Sequence, residues 1–136
     1  EDVHTNIFFQ MLCHRYMTEY DLDAHIADIR ALYGRKCTLM LDCLGSCLPA
    51  EVAFTHPEGG LFVWCTLPNR LDSADFAKLL VSRKVAVVPG ATFLSDEGGV
   101  SPSFRLNYSM PSDEEIVRGV EILGDCAREY IDARRS

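Results

Sequence analysis

The sequence predicts an α+β fold, a two-layer sandwich in which helices pack on one face of a small mixed or antiparallel sheet of about four strands, preceded by a long amphipathic helix. Two observations support this prediction. Apolar residues recur at helical spacing over residues 22–47, and from residue 51 the apolar period changes to the alternation typical of strands. Two pairs of strand patterns then follow, and each pair leads into a helix pattern.

Two helix patterns precede the sheet. Residues 5–18 predict a first apolar helix, and residues 22–47 predict the long amphipathic helix, with Asp21 or Asp23 as its cap and Pro49 beyond its end. The side chains predicted to form the apolar face of the long helix are Leu22, Ile26, Ile29, Leu32, Tyr33, Leu39 and Cys43.

The other two helix patterns each follow a pair of strand patterns. Residues 73–84 predict a helix that Ser73 opens, and residues 111–133 predict the final helix. Ser112 and Glu115 have the spacing of a capping box, which marks the start of that helix. The side chains predicted to face the core are Phe76, Leu79 and Leu80 in the first of these helices, and Ile116, Val120, Leu123 and Ala127 in the second.

The four strand patterns cover residues 51–57, 61–67, 85–90 and 103–109. The last of them, "SFRLNYS", alternates strictly. Its apolar side chains, Phe104, Leu106 and Tyr108, are predicted to face the core. Arg105 and Asn107 therefore point to the opposite side of the sheet, together with serines.

Composition and charge exclude several classes of protein. The net charge is −7, whereas a nucleic-acid interface needs a concentrated basic face. No apolar run approaches the roughly 20 residues that span a bilayer. The six cysteines show no C-x-x-C spacing, and the sequence opens with acidic residues instead of a basic leader. We therefore expect reduced thiols and a cytoplasmic location, with neither nucleic acid nor membrane as a partner of this domain.

The sequence contains no recognisable motif for metal binding, nucleophilic catalysis or phosphate binding. The histidines, which show no metal-ligand spacing, are His4, His14, His25 and His56. Ser46 and Ser95 do not lie in a G-x-S-x-G elbow, and the paired glycines match no phosphate-binding loop. We therefore predict no metal site and no catalytic residue within this sequence.

Arg105 has two interpretations on the residues alone. An arginine between serine and asparagine on a strand can be solvated, or can pair with a surface carboxylate. Alternatively, a rigid strand can hold its planar guanidinium so that it binds a carboxylate through two parallel hydrogen bonds, with Asn107 adding polar contacts from the same face.

Three segments in order carry a family resemblance: "HPEGGLFVWCTLP" (56–68), "VAVVPGATF" (85–93) and "SFRLNYSMPSDEEIVRGVEIL" (103–123). Together they resemble the C-terminal small domain of fold-type I, pyridoxal-phosphate (PLP)-dependent class I/II aminotransferases. The nearest subgroups are the 2-aminoadipate and aromatic aminotransferases and the aminotransferase-like half of MocR-type regulators. The resemblance implies that residues 1–20 are a helix from the end of the large domain and that residues 21–136 are the small domain.

The resemblance also implies roles for individual residues. Arg105 matches the arginine that binds the α-carboxylate of the amino-acid substrate, and Asn107 lies beside it on the same strand. The turns "PEGG" and "VPG" match turns near the mouth of the active site. The residues predicted to shape these turns close to the substrate are Gly59, Gly60, Pro89 and Gly90.

Family features that hold the cofactor are missing from this sequence. Its three lysines, Lys36, Lys78 and Lys84, fall in helix patterns or at a helix end, outside any Ser/Thr-x-x-Lys context. The resemblance therefore implies that PLP binds mainly to a large domain of the same parent chain and that this chain alone binds no cofactor and is inactive. It implies a homodimeric parent that transfers an amino group between an amino acid and a 2-oxo acid. Two alternatives are the effector-sensing part of a MocR-like transcriptional regulator and a stand-alone α+β interaction module.

Overall fold

A computed structural model describes residues 22–57, 60–93 and 99–135, and these residues form three α-helices and one four-stranded sheet. The helices are α1 (Leu22–Cys47), α2 (Ser73–Ser82) and α3 (Asp113–Ala133). The strands are β1 (Ala53–Phe54), β2 (Phe62–Thr66), β3 (Val88–Pro89) and β4 (Ser103–Asn107). The predicted α+β class is confirmed, while the helix predicted over residues 5–18 lies outside the described residues.

The chain divides into two compact units, 1–34 and 35–136, and the border falls within α1. In the described part of the first unit, the predicted face of α1 is half-buried at Leu22, Ile26, Ile29 and Tyr33, whereas Leu32 is 42% exposed. The domain boundary after residue 20 stays a prediction.

In the second unit, α1 buries a different stripe from the one predicted. Leu39 and Cys43 are only half-buried, whereas Cys37, Met40 and Leu44 face the core. Apolar residues occupy both sides of this stretch of α1, so helical periodicity permits either stripe. The elements packed against the helix decide which side is buried, and the sequence of the helix alone does not contain that information.

The sheet is antiparallel throughout, with the strand order β1-β2-β4-β3. Val63 of β2 pairs with Leu106 of β4, and Cys65 pairs with Phe104. All four side chains are buried on the same face of the sheet. This register gives the sheet its inner face, and it confirms the predicted direction of Phe104 and Leu106.

Helices α2 and α3 cover the inner face. The ring of Phe76 from α2 lies 5.4 Å from that of Phe104 and 5.2 Å from that of Tyr130 of α3, measured between centroids. Leu80 is fully buried and Leu79 half-buried. The predicted core residues of α3 are all buried: Ile116, Val120, Leu123 and Ala127. Sheet and helices therefore form the two predicted layers.

The two edge strands are shorter than the sequence predicts. Strand β1 covers only Ala53–Phe54 of the predicted strand 51–57, and β3 covers only Val88–Pro89 of 85–90. The side chains of Val88 and Pro89 are half-buried, although the sequence predicts a buried strand. Proline has no N–H to donate to a ladder, which restricts β3 to the edge of the sheet.

The end of α1 lies directly against α3. A Cβ atom at Gly124 would lie 2.3 Å from the carbonyl oxygen of Cys47, so only glycine allows this approach. Arg128, one turn further along α3, donates a hydrogen bond from Nη2 to the same carbonyl oxygen at 2.5 Å. The guanidinium thus gives a hydrogen-bond donor to a carbonyl at the C-terminus of α1, where the helix dipole also stabilises a positive charge.

Side chains cap the starts of α2 and α3. Helix α2 begins at Ser73, as predicted, and Asp72 caps it by accepting a hydrogen bond from the backbone N–H of Ala74 at 2.9 Å. The capping box of α3 is confirmed. Ser112 Oγ accepts from the N–H of Glu115 at 3.1 Å, and Glu115 Oε1 accepts from the N–H of Ser112 at 2.8 Å.

We expect Ser112→Ala to lower the free energy of unfolding by ~1 kcal/mol, because it leaves an N-terminal N–H of α3 without its side-chain acceptor. Hydrogen bonds from Ser112 lower the pKa of the Glu115 carboxyl. The stabilising effect of the Glu115 charge is therefore present above the ordinary pKa of the carboxyl. It is lost as pH falls through the lowered pKa of the folded state. Urea denaturation across the acid range measures both effects.

The matched control is Glu114→Gln, which removes a charge from the neighbouring, exposed position in the first turn of α3. Glu115→Gln should flatten the acid dependence of stability more than Glu114→Gln does. Equal acid profiles for the two variants would contradict the role of Glu115 in the capping box.

The five cysteines of the described residues carry free thiols. Burial raises the pKa of the Cys65 thiol on the inner face of β2 to about 12. Three or more side chains of the kind that bind metals do not cluster anywhere in residues 22–57, 60–93 and 99–135. Over the same residues, none of the helices combines the length and the apolar character needed to cross a bilayer.

Candidate functional site

Arg105 lies in the middle of β4, which has β2 on one side and β3 on the other. Its register partners are Trp64 of β2 and Val88 of β3. Because side chains alternate along a strand, these residues lie on the side of the sheet opposite the inner face. We call this side the outer face and define it by Phe62, Trp64, Val88, Arg105 and Asn107.

The guanidinium of Arg105 lies over an aromatic ring. Its Cζ atom is 3.8 Å from the centroid of the Phe62 ring, within the range of a cation–π interaction. Arg105 is half-buried on an interior strand, so its backbone is fixed on both sides by the sheet. A planar guanidinium held in this way can bind a carboxylate through two parallel hydrogen bonds.

Asn107 organises the turn that follows β4. Its Oδ1 atom accepts three hydrogen bonds: from the N–H of Ser109 at 2.7 Å, from Ser109 Oγ at 2.7 Å and from the N–H of Met110 at 3.0 Å. Asparagine commonly stabilises a turn in this way. The sequence does not reveal this role, and contact between Asn107 and a substrate stays a prediction.

We expect Asn107→Ala to lower the free energy of unfolding by about 2 kcal/mol, because it leaves the partners of Oδ1 without their acceptor. Asn107→Asp keeps an acceptor oxygen in the same place and should remain close to the wild type. Urea denaturation of both variants is the measurement. A similar loss in both would mean that the amide nitrogen, not Oδ1, matters for stability.

The glycine turn before β2 is tied to the end of β4. Gly60 has a φ of 84°, a left-handed conformation that favours glycine. Its carbonyl oxygen accepts a hydrogen bond from Tyr108 Oη at 2.5 Å, and the N–H of Tyr108 donates to the carbonyl of Leu61 at 3.1 Å. Tyr108 is buried as predicted, and burial raises its pKa to about 12. Gly59 lies outside the described residues.

The second turn, after β3, approaches the start of β4. Pro89 pairs with Phe104 across the ladder. A Cβ atom at Gly90 would lie 2.8 Å from the carbonyl oxygen of Ser103 and 2.6 Å from Ser101 Oγ, so this close approach requires glycine. Pro89 and Gly90 therefore lie beside the strand that carries Arg105. Their proximity to a substrate stays a prediction.

Comparisons with known proteins give the context of this site. A scan against protein-family models found no match. The chain is 35% identical over 128 residues to aromatic-amino-acid aminotransferase 1 of Thermococcus litoralis, which covers 94% of this chain and 30% of that protein. It is 36% identical over 123 residues to the 2-aminoadipate transaminase of Thermus thermophilus, covering 90% of this chain and 30% of that protein.

A solved structure agrees with these relatives. It is the α-aminoadipate aminotransferase of Thermus thermophilus, complexed with N-(5'-phosphopyridoxyl)-L-leucine. The match has a TM-score of 0.82 and 33% identity, and it covers 91% of this chain and 31% of that one. The chain thus spans about a third of the length of the proteins it matches.

The chain is homologous to the C-terminal part of PLP-dependent aminotransferases. Within that family, its relatives include enzymes named for 2-aminoadipate and for aromatic amino acids. HTH-type transcriptional regulators match as well. YjiR of Escherichia coli is 28% identical over 116 residues, covering 85% of this chain and 24% of that protein.

The lysines of this chain do not fit the attachment of the cofactor. Lys36 donates a hydrogen bond from Nζ to the carbonyl of Pro111. Lys78 is exposed on α2, and Lys84 follows the end of that helix with a φ of 68°. None of the three lies on the outer face beside Arg105, as far as the described strands define it.

Proposed function

We propose that this chain is the C-terminal domain of a PLP-dependent aminotransferase and that Arg105 binds the α-carboxylate of its substrate. The whole protein would transfer an amino group between an amino acid and a 2-oxo acid. The observation that carries the proposal is the position of Arg105. A half-buried guanidinium stands on an interior strand, on the outer face of the sheet, opposite the face on which α2 packs.

The task of Arg105 is to orient the substrate. Two parallel hydrogen bonds fix both the distance of the carboxylate from the guanidinium and the plane of the carboxylate. A single hydrogen bond does not fix that plane. A substrate held by its carboxylate can turn only about the remaining bonds, so its Cα–H bond can be aligned for reaction. We call Arg105 in this role the carboxylate clamp. The antiparallel ladder on both sides of Arg105 limits the motion of its backbone.

The cofactor belongs to the parent protein in this proposal. When bound, PLP supplies the electron sink for cleavage of bonds at the substrate Cα. We infer that a large domain of the parent chain provides the lysine and the other cofactor contacts, because the lysines of this chain do not fit that role. The isolated chain is then inactive, and its part in the reaction is to bind and orient the carboxylate.

The proposed partners follow from the outer face. Phe62 and Trp64 are half-buried there, and α2 packs on the other face through Phe76. We infer that the large domain of the parent covers this side and that the substrate lies between the two domains. The parent is proposed to act as a homodimer in the cytoplasm.

The second candidate is an effector sensor. The match to the regulator YjiR supports it, because that protein shares this domain over 85% of the present chain. In that case Arg105 would bind the carboxylate of an amino-acid effector, and the parent would carry a DNA-binding domain. The chemistry of Arg105 is the same in both candidates.

The gene upstream of the codon for Glu1 distinguishes them. A reading frame that continues into a large domain with a Ser/Thr-x-x-Lys stretch shortly before Glu1 supports the aminotransferase. A helix-turn-helix domain further upstream would make the parent a regulator. A start codon immediately before Glu1 would contradict both and would leave a stand-alone interaction module.

A further inference from the structure

We propose that Phe62 is a positioning residue for Arg105. Its ring holds the guanidinium so that the N–H groups face the substrate carboxylate. The inference rests on the proposed function, because it assigns Phe62 to the carboxylate clamp. Phe62 lies on β2, so the alternation of residues along β4 does not predict its contact with Arg105.

The register brings the two side chains together. Phe62 pairs with Asn107, and Arg105 pairs with Trp64, so Phe62 and Arg105 are diagonal neighbours on the outer face. Diagonal pairs in an antiparallel sheet are within reach of long and aromatic side chains. The two side chains are in contact here, since Cζ of Arg105 lies 3.8 Å from the centroid of the Phe62 ring.

The short distance indicates that the guanidinium is stacked on the ring. If an N–H pointed into the ring, the nitrogen would lie between the ring and Cζ, and Cζ would be farther from the centroid. In a stacked arrangement, the five N–H groups radiate in a plane roughly parallel to the ring. Those N–H groups remain directed toward groups beside the ring, which is the geometry that a planar carboxylate needs.

The ring also limits the conformations of a flexible side chain. Arginine loses considerable rotamer entropy when it is ordered, and a binding site that orders it only on ligand arrival bears that cost during binding. Stacking on Phe62 orders the guanidinium before the ligand arrives. Leucine at position 62 would keep an apolar contact but would remove the π face.

The test uses the full-length protein and two probes that separate the carboxylate from the amine. The probe 3-phenylpropanoate carries only the carboxylate of phenylalanine, and 2-phenylethylamine carries only its amine. Calorimetric titration gives the dissociation constant of each probe for the wild type and for the variants Phe62→Leu, Phe62→Tyr and Arg105→Ala. The control is Phe54→Leu, which removes a half-buried ring of the same sheet whose centroid lies 5.1 Å from that of the His56 ring.

We expect Phe62→Leu to weaken binding of 3-phenylpropanoate roughly tenfold, and Phe62→Tyr to restore wild-type affinity, because tyrosine keeps the π face. Affinity for 2-phenylethylamine should stay unchanged in both variants. Phe54→Leu should bind both probes as the wild type does. If Phe62 had only a structural role, Phe62→Leu would weaken binding of both probes, and the effect would not depend on a π face.

The outcomes separate the two proposals. If Arg105→Ala weakens 3-phenylpropanoate and Phe62→Leu does not, the inference about Phe62 fails while the proposed function stands. If Phe62→Tyr binds as poorly as Phe62→Leu, stacking is not the cause and the inference fails. If Arg105→Ala leaves the affinity for 3-phenylpropanoate unchanged, the carboxylate clamp itself is wrong.

Discussion

A full-length protein carrying Arg105→Ala is expected to show a KM for its amino-acid substrate about 100-fold higher than the wild type, with kcat/KM reduced by at least that factor. The loss corresponds to about 3 kcal/mol, the upper range for hydrogen bonds to a charged group. The variant removes the guanidinium from the interior strand, and no neighbouring change is needed to accommodate alanine in an antiparallel ladder. Steady-state kinetics of the holoenzyme measure the effect.

Two further variants test whether the loss belongs to the clamp. Arg105→Lys keeps the positive charge but lacks the planar fork, so we expect a KM between those of Arg105→Ala and the wild type. Arg118→Ala removes an exposed arginine of α3 that faces Glu121 at 4.0 Å, and it should leave the kinetics unchanged. Wild-type kinetics in Arg105→Ala would remove the role proposed for this residue.

The second large effect is expected at Gly124, where alanine should lower the free energy of unfolding by about 3 kcal/mol. Its Cβ would lie 2.3 Å from the carbonyl oxygen of Cys47, and this neighbour is backbone, which cannot rotate away. Helices α1 and α3 would have to move apart at that point. The hydrogen bond from Arg128 to the same oxygen would lengthen as they do. Urea denaturation monitored by circular dichroism measures the change.

Gly119 provides the matched control, because it lies in the same helix with nothing within 4 Å of a Cβ atom. Gly119→Ala should raise the free energy of unfolding by up to about 1 kcal/mol, since alanine is the better helix former. The two glycine substitutions are therefore expected to have opposite signs. A stabilising effect of Gly124→Ala would contradict the close contact between α1 and α3.

Local patterns in the sequence were sufficient for much of the fold. The strict alternation of "SFRLNYS" predicts which side chains of β4 enter the core, and Phe104, Leu106 and Tyr108 are buried there. The spacing of Ser112 and Glu115 predicts the start of α3 because a capping box is formed entirely by neighbours in sequence. Where an element offers two apolar sides, as α1 does, periodicity cannot choose between them.

The candidate site also has features that the sequence predicts and features that it does not. Alternation places Arg105 on the outer face, and the family resemblance suggests its role. The contact with Phe62 depends on the register between β2 and β4, which lie far apart in sequence. The role of Gly124 likewise depends on how α3 meets the end of α1. Both are long-range contacts, which a pattern within one element does not encode.

Cys65 makes opening of the core chemically observable. Cys65 pairs in register with Phe104, next to Arg105 on β4, and burial on the inner face raises the pKa of its thiol to about 12. Alkylating reagents attack the thiolate, so modification of Cys65 requires the layer that covers the inner face to open and the thiol to regain its ordinary acidity. The alkylation rate of Cys65, assigned by peptide mapping, therefore reports how often the core beneath the strand that carries Arg105 opens. A carboxylate ligand that binds only the closed domain should slow that reaction.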